Sequence, residues 1–127
     1  VLRIPYQQAT AEAGIAKGII PILDIQYGNI WTNINDSIFK TLQVAPGENI
    51  EVKISQLDSV VYTGTMPYVH TFGDVPEGRP LAYMNSLMNL SFAINMGSFA
   101  DSFRIGSGPA WSVEVKKVKL GTFTPGI

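Results

Sequence analysis

The chain has 127 residues and a formal net charge of −1 at pH 7, and 15% of its residues are charged. This length allows one domain with a full core, and the scattered lysines and arginines give no basic face for nucleic acid or a membrane surface. With no cysteine and one histidine, the sequence excludes a disulfide framework, a thiolate metal site and a histidine cluster.

The first 17 residues carry no apolar stripe and are interpreted as a connector. The chain begins at Val1 rather than at methionine, so we expect a processed product or a fragment. Its charged fraction is below the usual value of about 25%, which fits a surface buried against another domain or subunit. No signal peptide is evident and no apolar run approaches the roughly 20 residues of a membrane helix, so we expect a cytoplasmic protein.

A β-hairpin is predicted next. Its strands span residues 18–26 and 29–34. Tyr27-Gly28-Asn29 forms a tight reversal between them, because Gly and Asn tolerate a positive φ. Pro21 disfavours a central position in a sheet, so the first strand is expected to be bulged or at an edge.

The rest of the chain alternates short strands with turns. Asn35 is placed to cap a helical turn over 37–42. Alternating apolar residues predict further strands at 50–54, 60–63, 81–85, 90–94 and 111–115. A loop is predicted at 73–80, one helical turn at 98–103 and a turn at 106–109. About seven short strands and almost no helix predict an all-β fold, a small antiparallel β-barrel or sandwich over residues 18–120, followed by a tail at 121–127.

The sequence lacks the familiar catalytic and metal-binding motifs. The glycines at 106–109 are not followed by the lysine and helix of a phosphate-binding loop. His70 lies in an aromatic loop, where a relay with a serine is not expected. The aspartates are dispersed, without the spacing of metal ligands, so we expect no metal site.

The densest group of chemically active residues is Ile22–Asn33. The predicted hairpin brings Tyr27 and Trp31 together, with the Asn29 amide between them and Asp24 nearby. Two rings, an amide and a carboxylate suit a flat ligand with a polar edge and a positive charge. The alternative is that the rings fill a core and that the Asn and Asp side chains cap a turn.

Several stretches occur in an order and spacing that resemble a known family. They are 22–33, Thr71–Gly78, Asn85-Ser86 and Asn95–Ser98. Together they resemble the C-terminal domain of the S-adenosylmethionine (SAM) hydroxide adenosyltransferases, the adenosine-forming SAM hydrolases, a family that also contains the fluorinase and the chlorinase. The resemblance implies a β-barrel-like module after a larger N-terminal α/β domain, which this chain lacks and to which residues 1–17 would connect. It also implies a homotrimer with each SAM site between the N-terminal domain of one subunit and the C-terminal domain of the next.

The resemblance further implies a set of SAM-binding residues, which are Asp24, Tyr27, Asn29, Trp31, Phe72, Tyr83, Ser86, Asn95 and Met96. In that family pattern, Asp24 binds the methionine ammonium and Asn29 reads the adenine edge. Tyr27, Trp31 and Phe72 line the adenine pocket. Tyr83 and Ser86 lie near the methionine, and the backbone of the Asn95-Met96 segment meets the adenine.

The sequence departs from the halogenating members at two positions, because Leu87 and Ile94 stand where those members carry arginines. Ile94 resembles the hydrolase branch, and Met88 replaces a glycine that is common in the family. The implied reaction is attack of water or hydroxide on the ribose 5′ carbon, which releases adenosine and L-methionine from SAM without a cofactor. The family places the catalytic residues on the missing domain, so we expect an inactive half-site. The alternatives are a SAM-dependent halogenase domain and a non-catalytic β-barrel interaction module.

Overall fold

The computed structural model describes residues 7–118. In chain order, its elements are β1 (Thr10–Glu12), β2 (Ile15–Ile20), β3 (Ile22–Asp24), β4 (Asn29–Asn35), α1 (Asp36–Lys40), β5 (Asn49–Gln56), β6 (Ser59–Pro67), a 3-10 turn (Phe72–Asp74), β7 (Pro80–Met84), β8 (Asn89–Ile94), α2 (Phe99–Phe103) and β9 (Gly108–Lys117). In this part of the chain, neither helix has the length or apolar character needed to cross a membrane.

The strands form two antiparallel sheets. The five-stranded sheet has the order β1-β2-β9-β5-β6, and the four-stranded sheet has the order β3-β4-β8-β7. Side chains from both sheets enter one buried cluster, including Val52 and Val113 from the first sheet and Ile30 and Phe92 from the second. The predicted all-β fold is therefore confirmed as a sandwich, and the sheets do not close into a barrel.

The four-stranded sheet is covered on its outer face by the loop that follows β6. Ala82 and Phe92 face the main core. Their neighbours Leu81 and Ala93 form a second buried cluster with Val69 and Val75 of the loop, as expected because successive strand residues point to opposite faces. This arrangement places the loop, with its 3-10 turn, beside the exposed part of the sheet.

The first 24 residues differ from the prediction in two ways. Strands β1 and β2 pair within the segment 7–17, which was interpreted as a connector. The strand predicted over 18–26 is divided at Pro21 into β2 and β3, which belong to different sheets. Proline has no N–H to donate to a ladder, so the chain changes sheets there and β3 becomes an edge strand. Residues 1–6 of the predicted connector and the predicted tail at 121–127 lie outside the described residues.

Two local predictions are confirmed in detail. Gly28 has a φ of +71°, and its N–H donates to the Asp24 carbonyl at 2.7 Å, which closes the turn between β3 and β4. The Asn35 side chain accepts a hydrogen bond from the Ile38 N–H at 2.9 Å and caps α1.

Candidate functional site

A cleft of about 1020 Å³ lies at one end of the four-stranded sheet. Three segments form it: the turn between β3 and β4, the 3-10 turn, and the chain from the end of β8 into α2. Seven of the nine predicted site residues line it, namely Asp24, Tyr27, Asn29, Phe72, Tyr83, Asn95 and Met96. The fold therefore brings together residues that are up to 72 positions apart in the sequence, from Asp24 to Met96.

Gly28 joins two walls of the cleft. Its carbonyl accepts a hydrogen bond from the Ala100 N–H at 2.9 Å, and its Cα lies against Ser98, the residue that caps α2. A Cβ at position 28 would overlap Ser98 Oγ and would lie 2.7 Å from Ser98 Cβ. The turn and the start of α2 therefore fit together only because residue 28 has no side chain.

A hydrogen-bonded group of three side chains lines the sheet side of the cleft. The Asn29 Nδ2 donates to Tyr83 Oη at 3.0 Å and to Asp24 Oδ2 at 3.4 Å. A carboxylate only accepts hydrogen bonds, so the amide must turn its nitrogen toward Asp24. Asn29 is only 4% exposed, and its Oδ1 is buried without a hydrogen-bond partner. Asn29 Oδ1 is therefore a buried acceptor that no protein donor satisfies in the described structure.

The Tyr83 phenol stays protonated at neutral pH. Burial raises the pKa of Tyr83, the nearby Trp31 N–H and the hydrogen bond from Asn29 lower it, and the Asp24 carboxylate raises it further. The direction of the net change is upward. Tyr83 therefore offers a neutral hydroxyl whose oxygen already accepts from Asn29.

The aromatic residues of the cleft differ in their surroundings. The Phe72 and Tyr83 rings pack edge to face with their centroids 5.3 Å apart, which is a favourable geometry for two rings. Tyr27 projects from the turn and is 60% exposed. A flat ligand therefore finds one packed aromatic wall and one exposed ring.

Two predicted site residues do not line the cleft. Trp31 lies in the same row of the sheet as Ser91 and Tyr83. Its indole N–H makes no hydrogen bond of good geometry, although it lies close enough to the Tyr83 hydroxyl to lower the pKa of that phenol. Ser86 is exposed in the turn between β7 and β8, three residues after Tyr83, and does not line the cleft.

The structure adds residues that were not among the predicted site residues, and two of them, Ala100 and Asp101, lie outside the stretches singled out in the sequence. Ile25, Gln26, Ser98, Ala100 and Asp101 also line the cleft. The last three come from the start of α2, which reaches the site through the contact between Gly28 and Ala100. No local pattern in the sequence predicts that long-range contact.

The charge of the cleft is negative. Among its lining residues in the described chain, Asp24 and Asp101 carry charge at neutral pH, and neither lysine nor arginine is present. Aromatic faces and carboxylates both attract cations. The cleft is therefore suited to a ligand with positive charge.

A smaller depression of about 410 Å³ lies on the outer face of the five-stranded sheet. Its charges are paired across the strands, with Lys53 to Glu114 at 3.1 Å and Lys116 to Glu51 at 3.3 Å. Exposed pairs of this kind contribute little binding energy or stability. Within residues 7–118, no three metal-ligating side chains come close enough to hold a metal ion.

The sequence matches one family model over most of its length. The model of the SAM hydroxide adenosyltransferase C-terminal domain matches residues 18–112. The fluorinase of Actinopolyspora mzabensis is 30% identical over 105 residues, which are 82% of this chain and 34% of that protein. The fluorinase of Actinoplanes sp. (strain N902-109) is 31% identical over 101 residues, which are 79% of this chain and 33% of that protein. The chain therefore spans about a third of the length of these curated relatives.

Two solved structures resemble the fold. An uncharacterized conserved protein from Thermotoga maritima superposes with a TM-score of 0.77 at 23% identity, over 88% of this chain and 40% of that one. A conserved hypothetical protein from Thermus thermophilus gives a TM-score of 0.56 at 27% identity, over 86% and 37% of the two chains. The first likeness supports the sandwich fold alone. With the family match over residues 18–112, the chain belongs to the SAM hydroxide adenosyltransferase C-terminal domain family, a SAM-processing enzyme family, and is related to the fluorinases.

Proposed function

We propose that this chain supplies the SAM-binding half of an active site that hydrolyses SAM to adenosine and L-methionine. The observation that carries the proposal is the cleft itself. It combines aromatic rings with Asp24 and Asp101 and has no basic residue in its lining. SAM carries a sulfonium and an ammonium, so a negative, aromatic cleft complements both of its cations.

Each group of the cleft has a role that its surroundings support. Asp24 would bind the methionine ammonium. Tyr27 and Phe72 would flank the adenine ring. Asn29, which lines the cleft and donates to Asp24 and Tyr83, would read the adenine edge.

The chemistry follows from the electrostatics of the substrate. Hydroxide, or water that gives up a proton to solvent, attacks the ribose 5′ carbon, the bond from that carbon to sulfur breaks, and methionine leaves as a neutral thioether. The sulfonium charge is thus lost from the sulfur during the step. A dry aromatic cleft that holds the 5′ carbon in line with the nucleophile favours this reaction by positioning and by exclusion of bulk water.

We propose that catalysis needs a second domain. The rim of the cleft exposes apolar side chains, with Ile25 at 95% and Met96 at 80% exposure, and exposed apolar groups of this kind fit a surface that another domain or subunit covers. The curated relatives are about three times as long as the matched region. The chain alone would bind SAM weakly and would not hydrolyse it, and the complete site would form in a homotrimer.

The second candidate function is SAM-dependent halogenation, which the identity to two fluorinases favours. Two positions speak against it, because the sequence has Leu87 and Ile94 where halogenating members are expected to carry arginines. Ile94 is 9% exposed and lines the cleft. An apolar residue there provides no positive charge to hold a halide.

Product analysis separates these candidates. The full-length gene product is incubated with SAM, with and without chloride or fluoride, and the products are resolved by chromatography. We expect adenosine and L-methionine in equal amounts and independent of halide, and no turnover by the 127-residue chain alone. A halide-dependent 5′-halogenated nucleoside would establish the halogenase, and a full-length protein that leaves SAM intact would refute both activities.

A further inference from the structure

Asn95, at the end of β8, makes three hydrogen bonds to the loop that covers the four-stranded sheet. Its Nδ2 donates to the Val75 carbonyl at 2.7 Å. Its backbone N–H donates to the Arg79 carbonyl at 3.1 Å, and its carbonyl accepts from the Gly78 N–H at 2.8 Å. One residue of the sheet therefore holds both the middle and the end of this loop.

The loop carries Phe72, the aromatic wall of the cleft. The Val75 N–H donates to the Phe72 carbonyl at 3.1 Å and closes the 3-10 turn. Val75 is buried against Leu81 and Ala93, and the Phe72 ring packs against Tyr83. The position of Val75 therefore determines where the Phe72 ring lies.

Few polar contacts hold the middle of the loop. Between residues 70 and 77, the other backbone hydrogen bonds of the described structure are local ones, from Asp74 to Thr71, from Val75 to Phe72 and from Arg79 to Pro76. The Asn95 side chain supplies the hydrogen bond that ties this segment to the sheet. Loss of the amide would leave the buried Val75 carbonyl without its partner, which favours opening of the loop.

We propose that Asn95 is a positioning residue that pre-forms the Phe72 wall, and that it acts on ligand affinity through Phe72. The amide nitrogen and both backbone polar groups of Asn95 are already engaged with the loop, so Asn95 has few groups left to contact a ligand directly. The proposal rests on the proposed function, because it takes SAM as the ligand. A wall that is already in place lowers the entropy lost on binding.

A double-mutant cycle tests the proposal in the full-length protein. SAM affinity is measured by calorimetry for the wild type, Asn95→Ala, Phe72→Leu and the double variant, and KM and kcat are measured for each. We expect Asn95→Ala to weaken binding and raise KM by about tenfold, the effect of one buried hydrogen bond, with kcat nearly unchanged. In the Phe72→Leu background, Asn95→Ala should change affinity less than about twofold, because the wall that Asn95 holds is already lost.

Two further variants serve as controls. Asn95→Leu keeps a similar size without adding charge but cannot donate to the Val75 carbonyl, so it should weaken binding at least as much as Asn95→Ala. Asn33→Ala removes an asparagine that ties strands in a similar way, with Nδ2 donating to the Gln7 carbonyl and Oδ1 accepting from the Ile19 N–H, both at 2.8 Å. It should lower the melting temperature and leave KM unchanged.

Each outcome has a distinct meaning. Equal losses of affinity from Asn95→Ala in both backgrounds would overturn the proposal, because Asn95 would then contact SAM itself. Unchanged affinity in Asn95→Ala would overturn it as well. A wild-type protein that does not bind SAM would refute the proposed function instead.

Discussion

Replacement of Gly28 by alanine tests how the two walls of the cleft fit together. An alanine at a φ of +71° costs about 1–2 kcal/mol, because the left-handed region is unfavourable for residues with a Cβ. The added Cβ would lie 2.7 Å from Ser98 Cβ and 3.1 Å from Ser98 Cα, and overpacking of this kind costs about 1–3 kcal/mol more. We therefore expect Gly28→Ala to lower the free energy of unfolding by about 2–5 kcal/mol.

The assay is equilibrium urea denaturation, with Gly14→Ala as the matched control. Gly14 also has a positive φ, at +81°, but nothing lies within 4 Å of the position of its Cβ. It should therefore show the backbone cost alone, about 1–2 kcal/mol. Ser98→Gly in the Gly28→Ala background should recover part of the loss, since it removes the closest atoms. If Gly28→Ala is no more destabilising than Gly14→Ala, the contact with Ser98 does not hold the two walls together.

Two other predictions concern stability. Met88 has a φ of +61°, so Met88→Gly should raise the urea midpoint by an amount equivalent to about 0.5–1 kcal/mol, and a lower midpoint would contradict the strain assigned to this turn. Burial raises the pKa of Tyr62 and of Tyr83 above the ordinary value of 10.0. The stability that their neutral forms contribute is therefore fully present below pH 10.0, and it is lost as the pH rises through the folded-state pKa. The urea midpoint should fall as the pH rises above 10.0, and it should fall less steeply in Tyr62→Phe. An equally steep fall of the midpoint in that variant would exclude Tyr62 as a cause.

Local chemistry made part of the structure predictable. The glycine at position 28 predicted a turn with a positive φ, and Asn35, a residue type that caps helices, predicted the start of α1. Alternation of apolar residues identified β9, in which Trp111, Val113 and Val115 are buried. These features depend on contacts within a few residues, which the sequence displays directly.

Long-range contacts made the rest unpredictable. The residues of β1 are all exposed, so this edge strand shows no apolar alternation. The chain changes sheets at Pro21 because β2 pairs with β9 and β3 pairs with β4. Asp101 reaches the cleft because α2 docks on the turn through Ala100, and no spacing in the sequence encodes that contact.

The position of Ser86 is the clearest difference within the candidate site. The resemblance placed it with Asp24 in one set of binding residues, yet Ser86 lies exposed in the turn after β7 and does not line the cleft. Its proposed proximity to the methionine remains a prediction. A ligand that contacts both Asp24 and Ser86 would have to extend along the outer face of the four-stranded sheet past Tyr83.

Binding of SAM in the cleft that contains Asp24 can be measured by calorimetric titration of SAM into the full-length protein. Asp24→Asn is the test variant, and Glu51→Gln, in the depression on the other sheet, is the control. We expect Asp24→Asn to weaken binding by about tenfold or more, because a charge-assisted contact is lost, and Glu51→Gln to bind like the wild type. Equal affinity of Asp24→Asn and the wild type, or no heat of SAM binding at all, would contradict this expectation.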